Sequence, residues 1–265
     1  SQIAGGASLD LSGNKISIIG SDYLRPWKNE DGKATSTYGD YQGSSMSIIS
    51  GTDIEKVLLP DGASTITTGS KSTFFVGKAD APINLNINSS QAAVKSSGNA
   101  DDTVTLNQTA TKWGSDVQAR NMGNAGKGAT SSEIIKMSDY LKHDISLDLK
   151  EGIDTLNGTS GNDALFLQNF TTTGDSLWYA DSGSSDSTAR LLGINKINLL
   201  EGNNFLDLTS TTTSLASEKI DITSGSGNDV LWLSDADETI DSGAGDDQIT
   251  LNGGSDNLKT GIGKD

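Results

Sequence analysis

Residues 224–265, cut every nine residues from Ser224, read SGSGNDVLW, LSDADETID, SGAGDDQIT, LNGGSDNLK and TGIGKD. The register never slips. Position six is acidic each time: Asp229, Glu238, Asp247, Asp256 and Asp265. Position eight is aliphatic wherever it is present: Leu231, Ile240, Ile249 and Leu258. The repeats starting at 224, 242 and 260 keep glycine at positions two and four, which gives Gly225 and Gly227, Gly243 and Gly245, Gly261 and Gly263. The intervening repeats are degraded. Ser234 and Ala236 replace both glycines in one, and Asn252 replaces the first in the other, which keeps Gly254.

Such a period suits a coil built from two nonapeptides, so that residues eighteen apart stack on the same edge. Neighbouring coils then lie about 4.8 Å apart, the usual strand spacing. Calcium takes oxygen ligands at about 2.3–2.6 Å. Two aspartates one coil apart can therefore share an ion. Asp229 with Asp247 forms such a pair, and so does Asp247 with Asp265. The glycines admit backbone angles that a Cβ opposes and turn main-chain carbonyls toward the metal. Leu231 and Ile249 point inward. Alternate repeats lie on opposite edges, so one well-formed calcium edge and one poorer edge are expected. Asn tolerates left-handed angles, and Asp256 with Gly254 makes a weaker site on the poorer edge. The competing reading is a Gly/Asp-rich series of surface turns without metal.

On these residues the chain resembles the RTX (repeats-in-toxin) family of bacterial secreted proteins. The resemblance implies calcium as the ligand, several ions per chain, and a parallel β-roll. It also implies an extracellular address, reached through a type I exporter that reads a C-terminal signal. Residues 1–15, SQIAGGASLDLSGNK, have neither the basic nor the apolar region of a secretory leader. The chain starts without Met and stops inside a repeat, so it reads as a piece of a longer protein.

Two further matches lie upstream. SGNADDTVT (97–105) puts Asp102 at position six. LKEGIDTLN (149–157) and GTSGNDALF (158–166) put Asp154 and Asp163 there, with Leu156 and Leu165 at position eight. None has an obvious partner eighteen residues away, so a stacking partner has to come from a coil lengthened by an insertion. The alternative is a glycine-turn remnant that no longer holds metal.

Elsewhere, short alternating or β-branched runs recur between Gly, Asn, Asp and Ser: 15–20, 46–51, 64–69, 83–88, 103–108, 144–149, 197–202 and 205–210. They predict an all-β protein, a right-handed parallel β-roll/β-helix solenoid with loop excursions. A β-sandwich of similar strands is the competing architecture. Residues 1–148 read as a degenerate solenoid region with excursions at 21–45 and 109–142. Residues 149–265 read as the calcium-binding roll, continuing beyond the fragment. The excursion at 21–45 carries Tyr23, Trp27, Tyr38 and Tyr41, and a third, at 171–190, carries Trp178 and Tyr179. The one at 109–142 holds Trp113, Arg120, Lys127, Lys136 and Lys142, with a short helix expected in SSEIIKMSDYLKH (131–143). Aromatic residues on such loops either seal the solenoid flank or bind a ligand.

Asp plus Glu number 35 against 19 Lys plus Arg, a formal charge of −16. This argues against nucleic acid, which needs a basic face. Without cations the carboxylate loops repel, so folding is expected to be linked to metal. With no Cys, neither a disulfide nor a thiolate site is available. No eighteen-residue apolar run suggests a membrane span.

The chain has one histidine, His143, so a zinc-protease motif is impossible. His143 lies in a polar run and is expected at the surface. The G-x-S-x-G elbow is absent. NAGKG (124–128) lacks the full phosphate-loop spacing. A carboxylate pair for glycoside chemistry is set by folding rather than spacing and stays open. The expected role is therefore structural, not enzymatic: a calcium-dependent module that self-assembles into a bacterial surface layer, with copies of itself as partner. Its basic excursion would dock on the acidic face of a neighbour. The runner-up is a segment of an RTX adhesin that binds glycan or another cell surface. The third reading is an accessory repeat module of a polysaccharide-modifying enzyme.

Overall fold

The structure is a computed structural model. It describes residues 8–10, 17–19, 46–49, 56–59, 64–67, 72–76, 82–87, 91–95, 99–106, 112–113, 118–120, 134–168, 170–173, 176–179, 190–210 and 212–265. The aromatic excursion at 21–45 lies outside the described residues, as does Lys127. The chain forms two compact units, Ser1–Asn107 with Asp144–Thr155, and Gln108–His143 with Leu156–Asp265. Among the described residues the protein is all-β with parallel sheets; its one helical element is a 3-10 turn at Met137–Asp139. None of these residues forms a helix long and apolar enough to cross a membrane.

In the first unit, successive strands go alternately to two parallel sheets. One contains Ser8–Asp10, Met46–Ile49, Ser64–Thr67, Ile83–Ile87 and Thr103–Leu106 in that order. The other contains Ser17–Ile19, Lys56–Leu59, Ser72–Val76, Gln91–Lys95 and Asp144–Asp148. Alternation dictates the packing. Leu85, Ile87, Val104, Leu106, Ile145 and Leu147 are buried, while Asn84 is exposed and Thr103 and Thr105 are half-buried.

The second unit repeats the scheme. One sheet runs Thr155–Asn157, Lys196–Asn198, Lys219–Thr223, Asp237–Asp241 and Asn257–Lys259. The other runs Leu141–Lys142, Asp163–Phe166, Phe205–Asp207, Val230–Trp232 and Gln248–Thr250. In the last coils the pairing follows the nonapeptide arithmetic: Ile222 faces Ile240, Ile240 faces Leu258, and Leu231 faces Ile249. Leu156, Leu165, Leu206 and Leu231 are fully buried. At position eight, Leu156, Leu165, Leu231 and Ile240 are buried, about 1.5–3 kcal/mol for a leucine, while Ile249 is half-buried and Leu258 is exposed.

The excursions are antiparallel hairpins added to this parallel framework. Gln118–Arg120 pairs with Ile134–Lys136, and Phe170–Thr173 pairs with Ser176–Tyr179. The helix expected within 131–143 does not form. That segment is a strand, the 3-10 turn, and the strand Leu141–Lys142, which joins Asp163–Phe166 in parallel. Ile134 and Ile135 favour the extended state. The extended path also places Met137, which is fully buried, against Trp113, Ala164, Phe166, Phe205 and Trp232, with Ile135 and Tyr140 packed on the same cluster. The rings meet edge to face: Phe205 lies 4.8 Å from Trp232, 5.4 Å from Phe166 and 6.1 Å from Tyr140 between centroids. Trp113 therefore seals a sheet face rather than presenting itself to a ligand.

Candidate metal centre

On one edge of the second unit, Asp163, Asn204, Asp229, Asp247 and Asp265 form one column. The backbone N–H of Asp163 donates to Asn204 Oδ1 at 3.0 Å, that of Asn204 to Asp229 Oδ1 at 2.7 Å, and that of Asp229 to Asp247 Oδ1 at 2.9 Å. The N–H of Asp247 donates to Asp265 Oδ1 at 3.1 Å. Position five is bonded in the opposite sense. The N–H of Asn203 donates to Asn162 Oδ1, that of Asn228 to Asn203 Oδ1, that of Asp246 to Asn228 Oδ1, and that of Lys264 to Asp246 Oδ1, all at 2.7–3.0 Å. Each of these turns is thus clamped to both neighbours by short side chains that satisfy main-chain donors.

The sequence pointed to Asp163, Asp229, Asp247 and Asp265 but not to Asn204. The steps are 41, 25, 18 and 18 residues, so the neighbour of Asp163 lies 41 residues on and is an amide. The signal was present as Gly-Asn-Asn-Phe-Leu (202–206) against Gly-Asn-Asp-Ala-Leu (161–165).

The column uses one oxygen of each central carboxylate and leaves the other. Asp229 Oδ2 and Asp247 Oδ2 are buried and have no hydrogen-bond partner. Burial pushes the Asp229 carboxyl up to about 6; the Asn204 N–H and Ser224 oppose the rise, and nearby Asp247 adds to it. A buried unpaired carboxylate oxygen is costly, and a bound cation would relieve it.

The glycines fix the approach of successive coils. A Cβ at Gly243 would stand 1.8 Å from the carbonyl oxygen of Gly225, and one at Gly261 1.6 Å from that of Gly243. At the second glycine, a Cβ on Gly245 would stand 1.9 Å from the Gly227 carbonyl, and one on Gly263 1.6 Å from the Gly245 carbonyl. These carbonyls line the same turns as the carboxylates. The turns offer carboxylate, amide and main-chain carbonyl oxygens, the ligand type that calcium takes. The residues therefore fit the ion: Asp229, Asp247 and Asp265 would supply carboxylate, and the glycine turns carbonyl oxygen. Among the described residues no three His, Asp or Glu side chains converge on one point, so two carboxylates per site is the limit.

The opposite edge is built differently. The Glu238 N–H donates to Asp256 Oδ1 at 3.2 Å and the Ser255 N–H to Asp237 Oδ1 at 2.8 Å, the same two-way clamp. The stack breaks one coil earlier, where register sets buried Ile220 beside Glu238. Ser234, at a glycine position, donates its N–H (3.0 Å) and its hydroxyl to Glu238 Oε1, while Glu238 Oε2 is buried without a partner. Burial pushes Glu238 up to about 7, with Asp256 adding to the rise. In the first unit, the Asp102 N–H donates to Asp154 Oδ1 at 2.7 Å, and the Ile153 N–H to Asp101 Oδ1 at 2.8 Å. Asp102 and Asp154 are buried, and burial raises Asp154 to about 7. The structure thus brings together 102 with 154 and 238 with 256.

His143 is not at the surface. It is 2% exposed, and its Nε2–H donates to Asp163 Oδ1 at 2.7 Å. The polar composition around it concealed a buried contact that only the fold creates.

The chain matches no protein-family model, no curated protein and no solved structure.

Proposed function

We propose that this chain is a calcium-stabilised extracellular structural protein. In this reading it is a right-handed parallel β-roll that self-assembles as a module of a bacterial surface layer. The observation that carries the reading is the pair of buried oxygens, Asp229 Oδ2 and Asp247 Oδ2, stacked one coil apart without partners. The eighteen-residue strand register and the alternation of strands between two sheets support the roll. The charge of −16 supports a fold completed by cations. Asp256, with Glu238, forms a second and poorer site, because Ser234 and Ala236 stand where glycines would open the turn.

Light scattering of the chelated protein during a calcium titration tests the assembly. Large assemblies that dissolve on adding chelator are expected. Contraction to a compact monomer would keep the calcium fold but favour the adhesin.

A further inference from the structure

Asp163 stands at position six like Asp229 and Asp247, yet its surroundings differ. Its carboxylate is fully buried, and protein donors engage both oxygens. Oδ1 accepts the His143 Nε2–H at 2.7 Å and the Thr159 hydroxyl at 2.8 Å; Oδ2 accepts the Thr159 N–H at 2.5 Å. Its column neighbours are not acids. Register sets Leu141 on one side, and Asn204 lies on the other. Among the described residues Asp163 therefore has no second carboxylate with which to share an ion.

The segment that delivers the imidazole is anchored by contacts of its own besides the His143–Asp163 pair. Met137 is fully buried in the aromatic cluster, Tyr140 lies edge-on to Phe205, and the Leu141 N–H donates to the Asn162 carbonyl at 2.6 Å. Lys142 Nζ lies 5.0 Å from the Trp113 ring centroid.

We propose that His143 does at Asp163 what calcium does at Asp229 and Asp247. It is the chain's own counter-group, and it fastens the 134–143 segment to the sheet without metal. This rests on the calcium reading of the later coils. The start of the sheet then stands in calcium-free solution, and the coils after Asn204 close onto it when calcium arrives.

Peptide-resolved hydrogen exchange on the full chain, in chelator and in millimolar calcium, tests this. Peptides within 134–143 and 155–167 should be protected in both conditions, while peptides within 224–265 gain protection only with calcium. In His143→Ala, 155–167 should lose protection in chelator, and calcium should not restore it, because Asp163 has no second carboxylate with which to hold the ion. His143→Gln, which keeps a donor, should stay protected in chelator. Wild-type 155–167 exposed in chelator, or a His143→Ala variant that stays protected there, would overturn the proposal. Indifference of 224–265 to calcium would instead sink the calcium reading itself, and it is read from separate peptides.

Discussion

The Asp229 N–H donates to Oδ1 of Asp247, one coil away, at 2.9 Å, while Oδ2 of both carboxylates is buried without a partner. One oxygen of Asp247 holds the stack, and in the proposed reading the other is left for a cation. Structural and ligating roles thus fall on different atoms of one side chain, and a substitution can separate them.

Asp247→Asn is the separating substitution. An amide oxygen still accepts from the Asp229 N–H, so the strand register survives. The second oxygen and the charge are lost. Because Asp247 stands between Asp229 and Asp265, both shared ions should go. Equilibrium dialysis with atomic absorption should show fewer calcium ions per chain with an unchanged β-sheet circular dichroism spectrum. Unchanged stoichiometry would show that the pairing is wrong.

Gly245 and Gly253 should respond oppositely to alanine. Gly245 has φ +140°, and its Cβ would stand 1.9 Å from a backbone carbonyl of the preceding coil. Its replacement should cost about 3 kcal/mol or more, from left-handed strain plus the clash. A Cβ on Gly253 meets only ordinary contacts at 3.4 Å. That change should stay within about 1 kcal/mol of neutral. Urea melts in calcium compare the two, and equal effects would contradict the close coil approach.

Stability and calcium affinity should move oppositely with pH. Burial raises Asp229 to about 6 and Glu238 to about 7 in the metal-free fold, above their ordinary values of 3.8 and 4.5. The fold holds these protons more tightly than the unfolded chain does. Their contribution is fully present below about pH 4 and is lost as pH rises through 6 and 7. In chelator, where 224–265 stand open near pH 8, lowering the pH to 5 should favour their closing and raise the urea midpoint. Calcium competes with the same protons, so its affinity should rise across that window. Flat urea midpoints in chelator would exclude Asp229 and Glu238 as buried acids.

Phe205 is the centre of the outer aromatic cluster, with Tyr140, Phe166 and Trp232 all edge-on to it. Phe205→Ala should cost about 3–5 kcal/mol. Tryptophan fluorescence should report the loss, because Trp232 is its nearest ring. A change below 1 kcal/mol would mean that the cluster does not hold the 134–143 segment.

The last coils were legible in the sequence because glycine and acid recur at fixed phase, and each is demanded by a backbone position. The coil at 199–207 was hidden. Leu200 fills a position where glycine is usual and takes φ +66° itself; Asn204 stands where an acid is usual. Insertions stretch its neighbouring steps to 41 and 25 residues, which erases the period while leaving the pairing intact. The 131–143 segment misled because its apolar spacing suits either a helix or a strand, and contact with Phe205 and Ala164 decided. His143 had no periodic neighbours, and its burial follows from strand Leu141–Lys142 adding beside Asp163.

Isothermal titration calorimetry of the chelated chain with calcium, beside magnesium, tests the central claim most directly. The account predicts saturable binding of more than one calcium ion per chain and weak or absent binding of magnesium, which demands tighter octahedral geometry. No saturable calcium heat up to millimolar concentration would contradict it, leaving the Asp229 and Asp247 oxygens buried for a reason other than metal.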